Sequence, residues 1–259
     1  MGRMGGRRHL KRAASPAFWP IHRKEKVWII KPSPGPHPKD RCIPLMVILR
    51  NLLGVAKNRR EADKILAEGK VKVDGRVRRD GKFPVGLMDV VEVEGLDKAY
   101  RVVPHPKEYL TLIEVNGEES SFKLCRIENK TTVKGGHIQL NLHDGRNLLI
   151  RVSDPTNPEE DRYETKDTIK LDLRENKILG HYRFKEGAYA VITGGKNVGI
   201  HGVITAIERP NPLAQTMVRI RAPDGIEYGT VDEYVLVVGE GKPEIRLPEV
   251  LASHGTGEL

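Results

Sequence analysis

The sequence of 259 residues predicts an α+β multidomain protein with a basic N-terminal arm, one small αβ module, a central β-rich domain and a β-rich C-terminal unit. Three observations carry this prediction. Helical periodicity is confined to residues 44–69, strand-type alternation dominates from residue 104 onward, and a glycine-rich turn separates two strand-like runs in the last third. At about 100 to 200 residues per domain, the length accommodates two or three small units. The expected divisions are 1–43 for the arm and a Pro-rich connector, 44–103 for the αβ module, 104–183 for the central domain, 184–248 for the C-terminal unit and 249–259 for a tail.

The arm is defined by charge. Arg3, Arg7, Arg8, Lys11, Arg12, Arg23 and Lys24 precede the first acid, Glu25. Residues 1–80 hold 21 basic and 7 acidic side chains, a net of +14, although the whole chain carries only +9. Residues 81–259 are therefore net acidic, and such an asymmetry points to a polyanionic partner met by the front third. A basic segment rich in small residues cannot fold alone, so residues 1–24 are expected to be dispensable for the folded core. Phe18, Trp19 and Trp28 stand out in a chain that is only 5% aromatic. They either stack on RNA bases or pin the arm to its own domain. Pro32, Pro34, Pro36 and Pro38 then make a stiff extended connector.

The αβ module opens with Leu45, Ile48, Leu49 and Leu52, one stripe of a helix that starts at Pro44 and ends at Gly54. Asn58 followed by Glu61 is a capping-box start for a second helix with Ala62, Ile65 and Leu66 on one face and Gly69 as its stop. Val71-Lys72-Val73, the turn pair Asp74-Gly75 and Arg76-Val77-Arg78 read as a hairpin with valines on one face and bases on the other. Lys57, Arg59, Arg60 and Lys64 on the helix, continued by Lys70, Lys72, Arg76, Arg78 and Arg79, are expected to form one RNA-binding patch. Two helices, a hairpin and the strings Arg59-Arg60-Glu61-Ala62 and Gly69-Lys70-Val71-Lys72-Val73-Asp74-Gly75 resemble the RNA-binding module of bacterial ribosomal protein S four. That resemblance implies RNA binding and leaves activity open.

The central domain is announced by strand-like runs at 131–133, 138–142, 148–152, 168–173 and 178–184. Asp154 to Asp161 is an acidic, Pro-containing loop, poorly suited to phosphate contact. In the last third, Glu186 to Thr193 and Val203 to Ile207 are strands around Gly194-Gly195-Lys196-Asn197-Val198-Gly199-Ile200-His201-Gly202. This is no P-loop, because Ala190 and Asn197 stand where that motif needs Gly and Ser or Thr, and a strand follows. It resembles the KOW element of a small SH3-like barrel. Lys196, Asn197 and His201 are weaker candidates for RNA contact.

Several classes fall away. The longest apolar runs, such as Leu45 to Leu49, are far too short to cross a bilayer. No signal-peptide pattern follows the basic start. Cys42 and Cys125 support neither a disulfide framework nor a zinc site, so the chain reads as a soluble protein of a reducing compartment, the cytoplasm, and the Asn129-Lys130-Thr131 sequon as unused. No protease, nucleotide-binding or hydrolase motif is present, and His137 and His143 do not have metal-ligand spacing. No cofactor, metal, membrane or small-molecule substrate is expected. Similar RNA modules are fused to pseudouridine synthases, but the nearest strings to their R-L-D context, Gly95-Leu96-Asp97 and Lys170-Leu171-Asp172, lack the arginine.

The order of parts completes the reading. His9-Leu10-Lys11-Arg12, Lys31-Pro32-Ser33-Pro34-Gly35-Pro36-His37, Gly86-Leu87-Met88-Asp89-Val90, Lys123-Leu124-Cys125, Thr193-Gly194-Gly195, Gly202-Val203-Ile204-Thr205 and Arg246-Leu247-Pro248 together resemble the S-four-e family of small-subunit ribosomal proteins of archaea and eukaryotes. The likeness runs over residues 7–248. The absence of the long basic tail of the eukaryotic members points to an archaeal source. The family implies a structural constituent of the 30S subunit, bound to small-subunit (16S) ribosomal RNA and supporting its folding, with neighbouring small-subunit proteins as further partners. The alternatives are a KOW-containing RNA-binding regulator outside the ribosome and an rRNA-modifying enzyme. The acidic body should face solvent or neighbouring proteins.

Overall fold

In the computed structural model, which describes residues 9–96, 98–154, 160–209, 211 and 214–248, the described part of the arm folds back on itself. Strand β1 (Leu10–Lys11) pairs antiparallel with β2 (Trp28–Ile29). Trp19, between them, is 2% exposed, and its indole N–H donates to the Cys42 carbonyl at 2.7 Å. Phe18 packs on Tyr109 with ring centroids 4.8 Å apart. These residues do not fold alone; they share the core of the module behind them. The arm is thus partly structural, against the expectation that residues 1–24 can be removed without cost. Trp19→Ala should lower stability by about 3–5 kcal/mol through the cavity it leaves, read as a fall in the urea midpoint; a loss below ~1 kcal/mol would return the arm to a dispensable role.

After β3 (Cys42–Pro44), helix α1 (Leu45–Val47) begins on Pro44. It does not continue as the regular helix expected over 45–52: Leu53 N–H donates to Ile48 O at 2.9 Å, so the last turn is π-helical. Leu45 to Leu49 are all buried. Five consecutive buried residues need apolar neighbours on every side, and Leu10 and Trp19 of the arm share their core.

Helix α2 (Arg59–Ala67) starts as its sequence requires. The Asn58 side chain accepts from Glu61 N–H at 3.0 Å, and Glu61 reaches back to Lys57 N–H at 2.8 Å. It ends at Gly69, φ 77°, with Gly69 N–H on Leu66 O and Lys70 N–H on Ile65 O, a Schellman closure. Strands β4 (Val71–Val73) and β5 (Arg76–Val77) follow, joined by Asp74 (φ 51°) and Gly75 (φ 72°), a type I′ turn. Then come β6 (Pro84–Gly86), which pairs with β3, and β7 (Val90–Val93), β8 (Ala99–His105) and β9 (Tyr109–Val115). The first sheet has the order β5-β4-β7-β8-β9. It extends to Val115, so the division placed at 103/104 cuts a hairpin whose two strands pair along their whole length.

A single turn, α3 (Gly117–Ser120), leads to the central sheet: β10 (Phe122–Thr132), β11 (Ile138–Leu142), β12 (Asn147–Ile150), β13 (Thr168–Asp172) and β14 (Ile178–Tyr182). Its order is β12-β11-β10-β13-β14, around Cys125, Ile127, Leu140, Ile169 and Leu171. The third sheet contains β15 (Ala188–Ile192), β16 (His201–Glu208), β17 (Met217–Arg221), β18 (Glu227–Val231) and β19 (Val235–Glu240), ordered β18-β17-β16-β15-β19. Gly202 on β16 lies so close to β17 that a Cβ would run into the Arg221 carbonyl, which is why this position carries glycine.

The first and central sheets meet at a buried ionic cluster. Lys123 Nζ, fully buried, lies 2.9 Å from Asp74 and 3.1 Å from Asp144 and also bonds Asp89. Arg146 pairs with Asp74 at 2.8 Å and with Asp144 at 3.2 Å, and His37 of the connector lies 3.1 Å from Asp89. Burial alone would lower the Lys123 pKa, but three carboxylates outweigh it and raise it well above the usual range. Burial would raise Asp144, yet Lys123 leads the groups that bring it down to about 2. The turn residue Asp74 also accepts from Val90 N–H at 2.9 Å, which ties the hairpin to this clasp.

Candidate nucleic-acid interface

Short-range patterning builds most of the basic surface, and the hairpin register then divides it. The capping box fixes the start of α2, and the four-residue step places Arg60 and Lys64 on one exposed side; Lys57, also exposed, precedes the extended Asn58 cap and so lies just outside the helix on which it was expected. None of the three makes an ion pair with a described residue. Arg59, one position off this face, pairs with Asp63 at 3.3 Å. Lys70 pairs with Glu68 at 2.6 Å; the contact raises the lysine and lowers the acid from their ordinary pKa values.

A two-residue loop places Val73 opposite Arg76 and Lys72 opposite Val77, and Arg78 N–H donates to Val71 O at 2.9 Å. Opposed residues of an antiparallel pair share a face. Arg76 and Arg78 therefore lie on the side of Val71 and Val73, whereas Lys72 shares its side with Val77, which is 46% exposed. This corrects the expectation of valines on one face and bases on the other. Arg79 returns to the helix side, its guanidinium lying against Gly69 beside Val77.

The single expected patch is consequently two surfaces. One carries Lys57, Arg60, Lys64, Lys70, Lys72 and Arg79. On the other, Arg76 and Arg78 line a groove with Arg146 of the central domain, whose floor holds Asp74, Asp89 and Asp144. Arg78 also lies over the Phe83 ring, 4.3 Å from its centroid. Sequence reasoning missed Arg146 as a member of this surface. The two-residue turn was a sufficient signal to assign the faces of 71–78, but only long-range packing brings Arg146 beside them.

In the arm, Arg3, Arg7 and Arg8 lie outside the described residues. Lys11 is exposed on β1, with Nζ over the Trp28 ring at 5.3 Å. Arg12 is turned inward: Nε donates to Ile21 O at 2.9 Å and the guanidinium to the Ser15 hydroxyl at 2.8 Å. A buried guanidinium satisfied by its own chain is a clamp, so Arg12 is withdrawn as an RNA ligand. A groove running from the ribbon to the helix is lined by His9, Lys31, Arg59 and Lys82, which connects the arm to the α2 surface.

The glycine-rich loop contributes little. Lys196 is exposed, while Asn197 Nδ2 donates to Gly229 O at 3.1 Å. His201 is buried on β16, accepting from the Tyr189 hydroxyl at 2.7 Å and donating to Pro248 O at 3.0 Å. Burial lowers its pKa, so it is neutral and occupied, and it too is withdrawn. His137 and His143 each accept a backbone N–H through Nδ1, from Val152 and Arg126 at 3.1 Å. Residues 155–159 of the acidic loop and the tail 249–259 lie outside the described residues. Among the described residues, no helix is long and apolar enough to cross a membrane.

Comparison with known proteins places this surface in context. Residues 4–40 match the RS4NT (NUC023) domain, residues 43–91 the S4 domain and residues 96–178 the ribosomal family S4e. The chain is 53% identical over 249 residues to the small ribosomal subunit protein eS4 of Desulfurococcus amylolyticus, covering 96% of this chain and 99% of the relative. It is 47% identical to the protein of the same name from Methanocaldococcus jannaschii, covering 95% of this chain and all of the relative. The crystal structure of the 30S ribosomal protein S4e from Thermoplasma acidophilum superposes with a TM-score of 0.64 at 32% identity, over 78% of this chain and 97% of that one.

Proposed function

Since the chain belongs to the ribosomal S4e family, we propose that it is a structural constituent of the small ribosomal subunit that binds small-subunit ribosomal RNA and supports its folding and assembly. It is not an enzyme. The observation that carries the RNA reading is the row of exposed cations on the module that matches the S4 domain: Lys57, Arg60, Lys64 and Arg79 make no ion pair with a described residue, and Lys72, opposite Glu92 on β7, extends the row. Unpaired surface cations on one side repel each other, and a row of phosphates relieves that repulsion while releasing counterions. Arg76 and Arg78 offer a second edge for the same backbone, beside Arg146, which Asp74 and Asp144 hold.

Three finer readings accompany this one. The C-terminal sheet, with Gly202 packed against β17, supports a KOW-type SH3-like barrel. The net-acidic body supports contacts with neighbouring small-subunit proteins. Relatives sharing about half the sequence support an archaeal source and a ribosome-bound location in the cytoplasm.

Co-sedimentation decides between a subunit protein and a regulator outside the ribosome. The protein should remain with archaeal 30S particles through a wash in high salt and should be needed in stoichiometric amount for reconstitution. Complete release by salt, with reconstitution unaffected by its omission, would overturn the proposal.

A further inference from the structure

The two tryptophans have opposite fates. Trp19 is 2% exposed and holds the arm to the module, whereas Trp28 on β2 is 59% exposed, next to Val27 at 66%. An indole normally buries a large area, so one left in water at a fixed position is unexplained by folding. Trp28 is nevertheless held in place. Its strand pairs with β1, Arg12 N–H donates to Val27 O at 3.0 Å, His9 meets the indole edge-on with centroids 5.8 Å apart, and Lys11 Nζ lies over the ring. A ring oriented this way and kept open is a platform.

The surroundings say what it would accept. Between His9 and Lys31 the basic residues outnumber the acids, with Glu25 as the one carboxylate, and Glu25 is neutralised by Lys26 at 3.2 Å. An apolar protein partner gains nothing from the Lys11 ammonium over the ring. An unpaired nucleotide suits both parts, with its base on the indole and its phosphates beside Lys11. The groove past His9 then reaches Arg59 on α2.

We propose that the β1–β2 ribbon is a stacking site for an unpaired base, with Trp28 as the platform and Lys11 beside it to meet a phosphate. This rests on the RNA-binding reading and adds to it a requirement for a single-stranded segment.

The test uses the full chain, a labelled single-stranded oligoadenylate, a duplex of the same length, and inorganic polyphosphate. Binding is read from anisotropy of the labelled RNA, which does not depend on tryptophan. Oligoadenylate should quench the acrylamide-accessible part of the emission, which belongs to Trp28, and polyphosphate should not. Trp28→Ala should weaken oligoadenylate binding about 5- to 150-fold, Trp28→Phe should restore most of it, and neither should move the thermal midpoint. The duplex should bind wild type and Trp28→Ala alike. Unchanged emission with RNA demonstrably bound, or an affinity loss below two-fold in Trp28→Ala, would overturn the stacking site and leave the ribosomal reading standing. No binding of any RNA would overturn both. A change of emission caused by purified small-subunit proteins and not by RNA would make the ribbon a protein contact and would likewise overturn the proposal.

Discussion

Replacing Lys123 with methionine should cost about 3–5 kcal/mol, a large part of the ~5–15 kcal/mol that holds an ordinary domain together. Lys123 Nζ has no exposure and is surrounded by Asp74, Asp89 and Asp144. Methionine preserves the length of the stem and removes the charge, so three carboxylates face each other with only Arg146 and His37 left to offset them. Urea denaturation followed by circular dichroism reads the loss. A change below ~1 kcal/mol would show that the clasp is compensated by solvent.

The pH dependence of this loss has a definite sign. Asp89 and Asp144 are held below the usual carboxylate range in the folded protein, Asp144 at about 2. Groups with depressed folded pKa values stabilise above their unfolded values, near 4, and lose that contribution as pH falls through the folded ones. Wild-type stability should therefore decline between about pH 4 and pH 2. In Lys123→Met the carboxylates lose their strongest partner and protonate earlier, so the gap between wild type and variant should narrow over that window. Adding Asp89→Asn and Asp144→Asn to Lys123→Met should recover part of the stability at neutral pH. A gap independent of pH would place the cost in packing instead.

The second large effect is expected from reversing charge on α2. Arg60→Glu with Lys64→Glu should weaken binding to small-subunit ribosomal RNA by about 10- to 100-fold near 0.1 M salt and flatten the slope of log K against log salt by roughly 1.4–1.8, the share of two phosphate contacts. Both residues are exposed and make no ion pair with a described residue, so folding should be unaffected. Arg12→Gln is the internal contrast, because its guanidinium serves Ile21 and Ser15. It should lower the thermal midpoint and leave the salt slope unchanged. If the double reversal binds with wild-type affinity and slope, the α2 surface does not carry the interaction.

The residues withdrawn and retained as RNA ligands mark where sequence reasoning stops. Asn58, Glu61 and Gly69 define α2 through contacts within four residues, so its ends and its exposed face are legible in the sequence alone. The Asp74-Gly75 turn is legible for the same reason. Its register was legible too, since two residues of positive φ admit one pairing, and that pairing sets Arg76 and Arg78 apart from Lys72. Arg12 and His201 were misread because their partners, Ile21 O and Pro248 O, lie 9 and 47 residues away and are backbone atoms, which no residue type announces.

What the sequence determined by itself is the polarity of the molecule and its local elements. The excess of positive charge lies in residues 1–80 whatever the fold does, and periodicity, capping residues and turn dihedrals act over a few residues. Only the tertiary structure decided which charges remain available. A cation is free for RNA when no carboxylate reaches it, and that depends on distances across sheets: Lys123 finds Asp74 and Asp89 from 49 and 34 residues away, while Arg60 finds none among the described residues. The same holds for the tryptophans, identical in chemistry and nine positions apart, of which packing buries one and leaves the other in solvent.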